Sequence, residues 1–233
     1  MSPVLPSLLL FARAPSAGRA KTRLAPALGE EGAARLYHAF LEDAARTFGS
    51  SMAWSPVLRA DPDPTSPELV ALFSRRWRVM SQGRGTLGAR LAAAFCEEFR
   101  RGVPSAVAIG SDHPALSRRR VEVAFERLAS GRQAVLVPAE DGGYCAIGLR
   151  SDAPVGEVFR DIPWSGPDVL ETTVGRLSGA GLRFELLPGA YDVDRPADLD
   201  RLRADLASRD PSEADFPSAT AAALAFMEAR GAR

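Results

Sequence analysis

Cysteine is scarce in this chain. Only Cys96 and Cys145 carry thiols among 233 residues. Two are too few for a disulfide framework, and they lack the spacing of a metal site, so a reducing cytoplasm is the expected setting. Long apolar runs are missing as well. Nothing approaches the ~18 consecutive apolar residues of a membrane span. The stretch PVLPSLLLFA is interrupted by Pro3 and Pro6 and has no basic residue before it, so it reads as a strand and not a signal peptide. Excess charge of either sign is also absent, with 29 basic and 29 acidic residues. That removes the footprint of a nucleic-acid scaffold and any acidic tail. Two nucleotide signatures are wanting. No G-x-G-x-x-G follows the first strand, which argues against a redox α/β protein. In AGRAKTRL, Ala17 to Leu24, Arg13 stands where a Walker loop would need its first glycine, and Arg19 and Ala20 separate Gly18 from Lys21.

The chain does contain a regular alternation. Leu8 to Ala12 is a continuous apolar run, as expected of a strand buried on both faces. Ala33, Leu36, Tyr37, Phe40, Leu41 and Ala44 follow at helical spacing. Trp54–Arg59, Trp77–Met80, Ala106–Ile109, Ala134–Pro138, Tyr144–Leu149 and Leu182–Leu187 read as further strands, with helical stripes between most of them. Ser66-Pro67-Glu68 reads as a helix start with a capping serine. Pro196 opens another helix, and a polar break at Asp210–Pro217 precedes a last amphipathic segment, Ala219–Arg230. The division expected is one large domain over residues 1–210 and a helical extension over 211–233. Strands alternating with helices imply an α/β fold with a mostly parallel sheet covered on both faces. Ligands of such sheets bind beyond the carboxyl ends of the strands.

Four motifs follow strands and should therefore gather at one edge. The first, ARAPSAGRAKTRL, sets Arg13, Gly18, Lys21 and Arg23 in one loop, suited to phosphate oxygens; a solvated basic loop is the plain alternative. The second, IGSDHPAL, puts Asp112 after a buried strand, where a carboxylate holds Mg²⁺ or Mn²⁺ or simply shapes a turn. The third, PAEDGGYCAIGL, offers Glu140 and Asp141 for a sugar hydroxyl or acceptor. Its Gly142 and Gly143 fit either a close backbone approach or a hairpin, and Cys145 reads as packing. In the fourth, YDVDRPADLD, Asp192 and Asp194 stand at alternating positions on one face and either complete a metal site begun by Asp112, or Asp194 simply caps the next helix.

These motifs, with GTLGARLAAAF and IPWSGPDVLETT, resemble in order the GT-A-type transferases known as radical-SAM/selenodomain-associated transferases, a domain of unknown function. More distantly they resemble phospholactate and molybdenum-cofactor guanylyltransferases. The resemblance spans about Leu8 to Leu206. It implies a single Rossmann-like nucleotide-diphospho-sugar transferase (GT-A) domain, with nucleotide on the N-terminal half and acceptor on the C-terminal half. The basic loop and Gly88 would hold nucleotide, Asp112 with Asp194 the divalent ion, and Asp141, Gly142, Gly143 and Trp164 the acceptor or sugar. Lys21 and Asp141 would serve the chemistry. Gly110 stands at the first position of the Asp-x-Asp found in many glycosyltransferases. The activity expected is metal-dependent glycosyl transfer from a nucleotide sugar to a small acceptor. The alternatives are nucleotidyl transfer from a nucleoside triphosphate to a phosphorylated acceptor with pyrophosphate release, or nucleotide binding without turnover. No nucleic-acid or membrane partner is expected, and nothing in the sequence fixes the oligomeric state.

Overall fold

The computed structural model describes residues 4–231. Seven strands, β1 (Ser7–Arg13), β2 (Ser55–Asp61), β3 (Arg78–Ser81), β4 (Ser105–Gly110), β5 (Ala134–Pro138), β6 (Tyr144–Arg150) and β7 (Phe184–Leu186), form one sheet in the order β3-β2-β1-β4-β6-β5-β7. Every pairing is parallel except those of β6, which runs antiparallel to both β4 and β5. The reversal has a local cause. Residues 139–143 are too few for the dozen or more that a parallel crossover needs, so β5 and β6 close as a hairpin.

Helices α1 (Ala25–Gly49), α2 (Pro67–Phe73), α3 (Leu87–Arg100), α4 (Arg118–Ala129), α5 (Val155–Val158), α6 (Val169–Gly179), α7 (Pro196–Ser208) and α8 (Ser218–Gly231) cover the two faces. The period-2 geometry of β1 feeds both cores. Leu8, Leu10 and Ala12 join α1, α4 and α7, whereas Leu9 packs with Leu91 and Phe95 of α3 and Val158 of α5. A strand in that position has no polar face to show, which is why it reads as an unbroken apolar run.

Several local expectations need correction. Ser66 precedes α2 but does not cap it; its hydroxyl donates to Glu68 Oε2 at 2.6 Å instead. Thr86 and Ser117 do cap, accepting from Ala89 N and Arg120 N at 3.3 Å each. Trp54 lies just before β2, its indole donating to Phe48 O at 3.0 Å because a buried N–H needs an acceptor. Helix α1 begins at Ala25, well before its apolar stripe, and bends at Gly29, where φ is 70°. Strand β7 keeps only Phe184–Leu186, and four-residue α5 is too short to leave a helical period.

The segment after residue 210 is docked on α1. Asp43 accepts from Ala219 N at 3.1 Å and Thr220 N at 2.8 Å, capping α8 from outside, and Phe216 and Leu224 are buried. No helix among the described residues is long and apolar enough to cross a membrane.

Candidate active site

Strand β1 sits between β2 and β4, so the chain leaves it toward one edge and later returns on its other side. Crevices form where strand order reverses in this way, beyond the carboxyl ends. There the loops after β1 and β4 meet the segment before α7 at the mouth of a cleft of about 840 Å³.

Lys21 is the hub. It takes the left-handed conformation, φ 50° and ψ 42°, unusual for a residue with a side chain. That turn sends the side chain inward until it is only 3% exposed, and Nζ lies 2.6 Å from Asp112 Oδ1 and 3.2 Å from Asp194 Oδ1. Arg23 Nη1 holds the other oxygen of Asp194 at 2.8 Å. Burial raises the Asp194 pKa, but Lys21 and Arg23 outweigh it and leave the carboxyl below its usual range. Both carboxylates stay partly open, with side chains 48% and 31% exposed.

The helix cap that Asp194 offered as an alternative is supplied by a different residue. Asp198 Oδ2 accepts from Asp194 N at 2.8 Å and Arg195 N at 2.6 Å. The Asp194 side chain is thereby left for the cations.

Beneath the hub, Tyr37 of α1 ties two loops together. Its hydroxyl lies 2.7 Å from Ser111 Oγ and accepts from Arg13 N at 3.2 Å. His113 Nδ1 lies 3.2 Å from Tyr191 O, and burial pulls this imidazole below its ordinary pKa. The neutral ring, with Nδ1–H on the carbonyl, leaves Nε2 as an acceptor. Asp192 is half-buried, and burial together with nearby Asp141 pushes its pKa up. It has no cationic partner among the described residues. The alternation of Asp192 and Asp194 was visible in the sequence, but the roles of Tyr37 and His113 were not, since neither their burial nor their partners leave a local signal.

The opposite wall is different in kind. Phe11, exposed Leu87, Leu91, Tyr144 and half-buried Trp164 line it. Gly88 explains how Trp164 reaches this place, because a Cβ there would stand 2.5 Å from the indole Nε1. Asp141 shapes the β5–β6 turn, its Oδ1 accepting from Gly143 N at 2.9 Å. Gly142 has φ +89°, and a Cβ would meet Pro167 O at 2.0 Å, so no other residue fits. Glu140 is paired with Arg201.

Two predicted residues stand apart from this convergence. Arg13 is 59% exposed and reaches toward Asp61 at 4.0 Å. Gly18, at φ +69°, turns the basic loop at an exposed position. Cys145 donates weakly to Val137 O at 3.5 Å, and burial pushes its thiol up to about 12, consistent with packing.

Among the described residues no three His, Cys, Asp or Glu side chains are grouped to hold a metal ion. Two half-exposed carboxylates converging on one cation nonetheless fit a Mg²⁺-type ion, which takes one or two carboxylates and completes its shell with waters and substrate phosphates.

A sheet of this order, with a polar cleft at the switch point, is the nucleotide-diphospho-sugar transferase fold. The chain is an enzyme of the superfamily that transfers glycosyl or nucleotidyl groups. It belongs to the family described as "Uncharacterized protein conserved in bacteria (DUF2064)", whose model matches residues 43–166. A phosphoenolpyruvate guanylyltransferase of Rhodococcus erythropolis is 31% identical over 199 residues, covering 79% of this chain and 85% of the relative. A protein of Desulfovibrio desulfuricans G20, described as a nucleotide-diphospho-sugar transferase, superposes with TM-score 0.86 at 29% identity over 97% of this chain and 98% of its own. A cytidylyltransferase of Leptospira borgpetersenii shares the fold at TM-score 0.58 and 10% identity, over 99% and 96% of the two chains.

Proposed function

We propose that this protein transfers a nucleotidyl group from a nucleoside triphosphate to a small acceptor. An acceptor oxygen attacks the α-phosphorus, the bond from that phosphorus to the bridging oxygen breaks, and pyrophosphate leaves. The observation that carries the reading is the convergence of Lys21, Arg23, Asp112 and Asp194, where Arg23 and two partly open carboxylates line the cleft and the buried Lys21 ammonium stands against both carboxylates. Lys21 and Arg23 would turn to the triphosphate and stabilise charge on the departing pyrophosphate. Asp112 and Asp194 would hold Mg²⁺ or Mn²⁺, which when bound neutralises phosphate charge and orients the leaving group. Asp141, on the hairpin across the cleft, would face the acceptor, with Asp192 beside it. The relative named for guanylyl transfer favours this reading over glycosyl transfer.

One observation favours glycosyl transfer instead. Near Asp141 the cleft is lined by the acids Glu140, Asp141 and Asp192, and its cation Arg201 already has Glu140 as a partner, which suits sugar hydroxyls better than a phosphorylated acceptor. Incubating the enzyme with Mg²⁺, each nucleoside triphosphate and phosphoenolpyruvate should release pyrophosphate with one preferred base. Release of nucleoside diphosphate from nucleotide sugars, with no pyrophosphate from any triphosphate, would establish glycosyl transfer in its place.

A further inference from the structure

We infer that Lys21 is the resident counter-ion of the metal carboxylates, so that the divalent ion is taken up together with the nucleotide and not before it. This rests on the metal reading of Asp112 and Asp194. The two carboxylates that would hold the ion converge on the Lys21 ammonium, at 2.6 and 3.2 Å. Like charges so close disfavour joint ionisation unless a cation stands between them. Here the chain itself provides that cation.

Charge counting then fixes the order of binding. Lys21 and Arg23 balance Asp112 and Asp194, two against two. A divalent ion entering alone must displace an ammonium whose ion pairs among the described residues are these two carboxylates, and it leaves these four groups with surplus positive charge. A triphosphate entering alone brings several negative charges beside two carboxylates. Entering together, each relieves the other: the phosphates receive the ammonium and the carboxylates receive the ion. The backbone supports an exchange of this kind. Lys21 sits in the left-handed region, which a residue with a side chain rarely adopts, and its ammonium makes two ion pairs there. Once the ammonium leaves the carboxylates, those pairs no longer hold it there.

The test is Mn²⁺ binding, counted by electron paramagnetic resonance of the free ion, with and without GTP as probe. Lys21→Gly removes the ammonium and suits the left-handed backbone, so it should fold; Lys21→Met is the second variant, and thermal melts accompany both. Wild type should bind Mn²⁺ weakly alone and, beyond the Mn²⁺ that GTP chelates in protein-free solution, at least about tenfold more tightly with GTP present. Lys21→Gly should gain at least about tenfold in affinity for Mn²⁺ alone while losing GTP affinity. If wild type and both variants bind Mn²⁺ alone with equal affinity, the carboxylates hold metal but Lys21 does not exclude it, and the inference fails. If none binds Mn²⁺ even with GTP, the metal reading fails and takes the inference with it.

Discussion

Two ion networks in this molecule use the same chemistry in opposite ways. At the β2–β3 edge, Glu98 of α3 is fully buried, accepts from Ser7 Oγ at 2.8 Å and Arg59 Nη2 at 3.2 Å, and is gripped by Arg78 at 2.7 Å. At the cleft mouth, Asp112 and Asp194 share Lys21 but keep a third to a half of their side chains open. The sealed network has no room for an exchange of partners. Even its surplus donors, Arg59 Nε and Arg78 Nη1, are buried without acceptors. The open network leaves its carboxylates in reach of solvent, as the proposed exchange of lysine for ligand requires. Exposure of the carboxylate, and not the identity of the pair, separates a structural ion pair from an available one.

The comparison breaks most sharply at Glu98. Replacing it with Gln leaves Arg78 facing no anion and Arg59 with Glu97 alone, and should cost about 3–5 kcal/mol in chemical denaturation. The same residue sets an acid limit. Burial works to raise its pKa, but the hydrogen bonds from Arg78 and Ser7 and the arginine charges prevail, so the folded-state value lies below the ordinary glutamate range. Its stabilisation is therefore complete above the unfolded-state pKa and is lost as pH falls through the folded-state value. Melts from pH 7 downward should show wild type losing its advantage over Glu98→Gln in that acidic window.

A middle effect is expected where a buried group supports the open network. Tyr37→Phe removes the hydroxyl shared by Ser111 and Arg13 N, and should cost about 1–2 kcal/mol. It should also weaken nucleotide binding measured by calorimetry, because the loops after β1 and β4 lose their common tie. Unchanged nucleotide affinity would reduce Tyr37 to a packing residue.

Within the open network, folding should change little and ligand response much. Asp112→Asn should cost about 1 kcal/mol or less, since the side chain is half-exposed and Lys21 keeps Asp194. The rise in melting temperature given by a nucleoside triphosphate with Mg²⁺ should nevertheless disappear. A large loss of stability with the ligand response intact would make this network structural, like the first. Arg23→Ala should have the smallest effect on folding, about 0–0.5 kcal/mol and salt-sensitive, because its side chain is 67% exposed.

The sequence by itself determined the alternation of strands and helices, the unbroken apolar β1, the hairpin at Asp141–Gly143 and the four polar segments after strands. Each of these is written in local periodicity or in the backbone demands of a few neighbouring residues. Lys21, Asp112 and Asp194 were legible as candidates for the same reason, being polar groups at strand ends. That they share one ion-pair hub was not legible, nor that Asp198 takes over the cap expected of Asp194. The pairing of Trp164 with Gly88, the seating of Tyr37 beneath two loops, and the outward position of Arg13 were equally hidden. Only the tertiary structure decided these. Lys21 and Asp194 lie 173 residues apart, and the register of the sheet, with the left-handed turn at Lys21, fixes which side chains share a cleft and how much water each keeps.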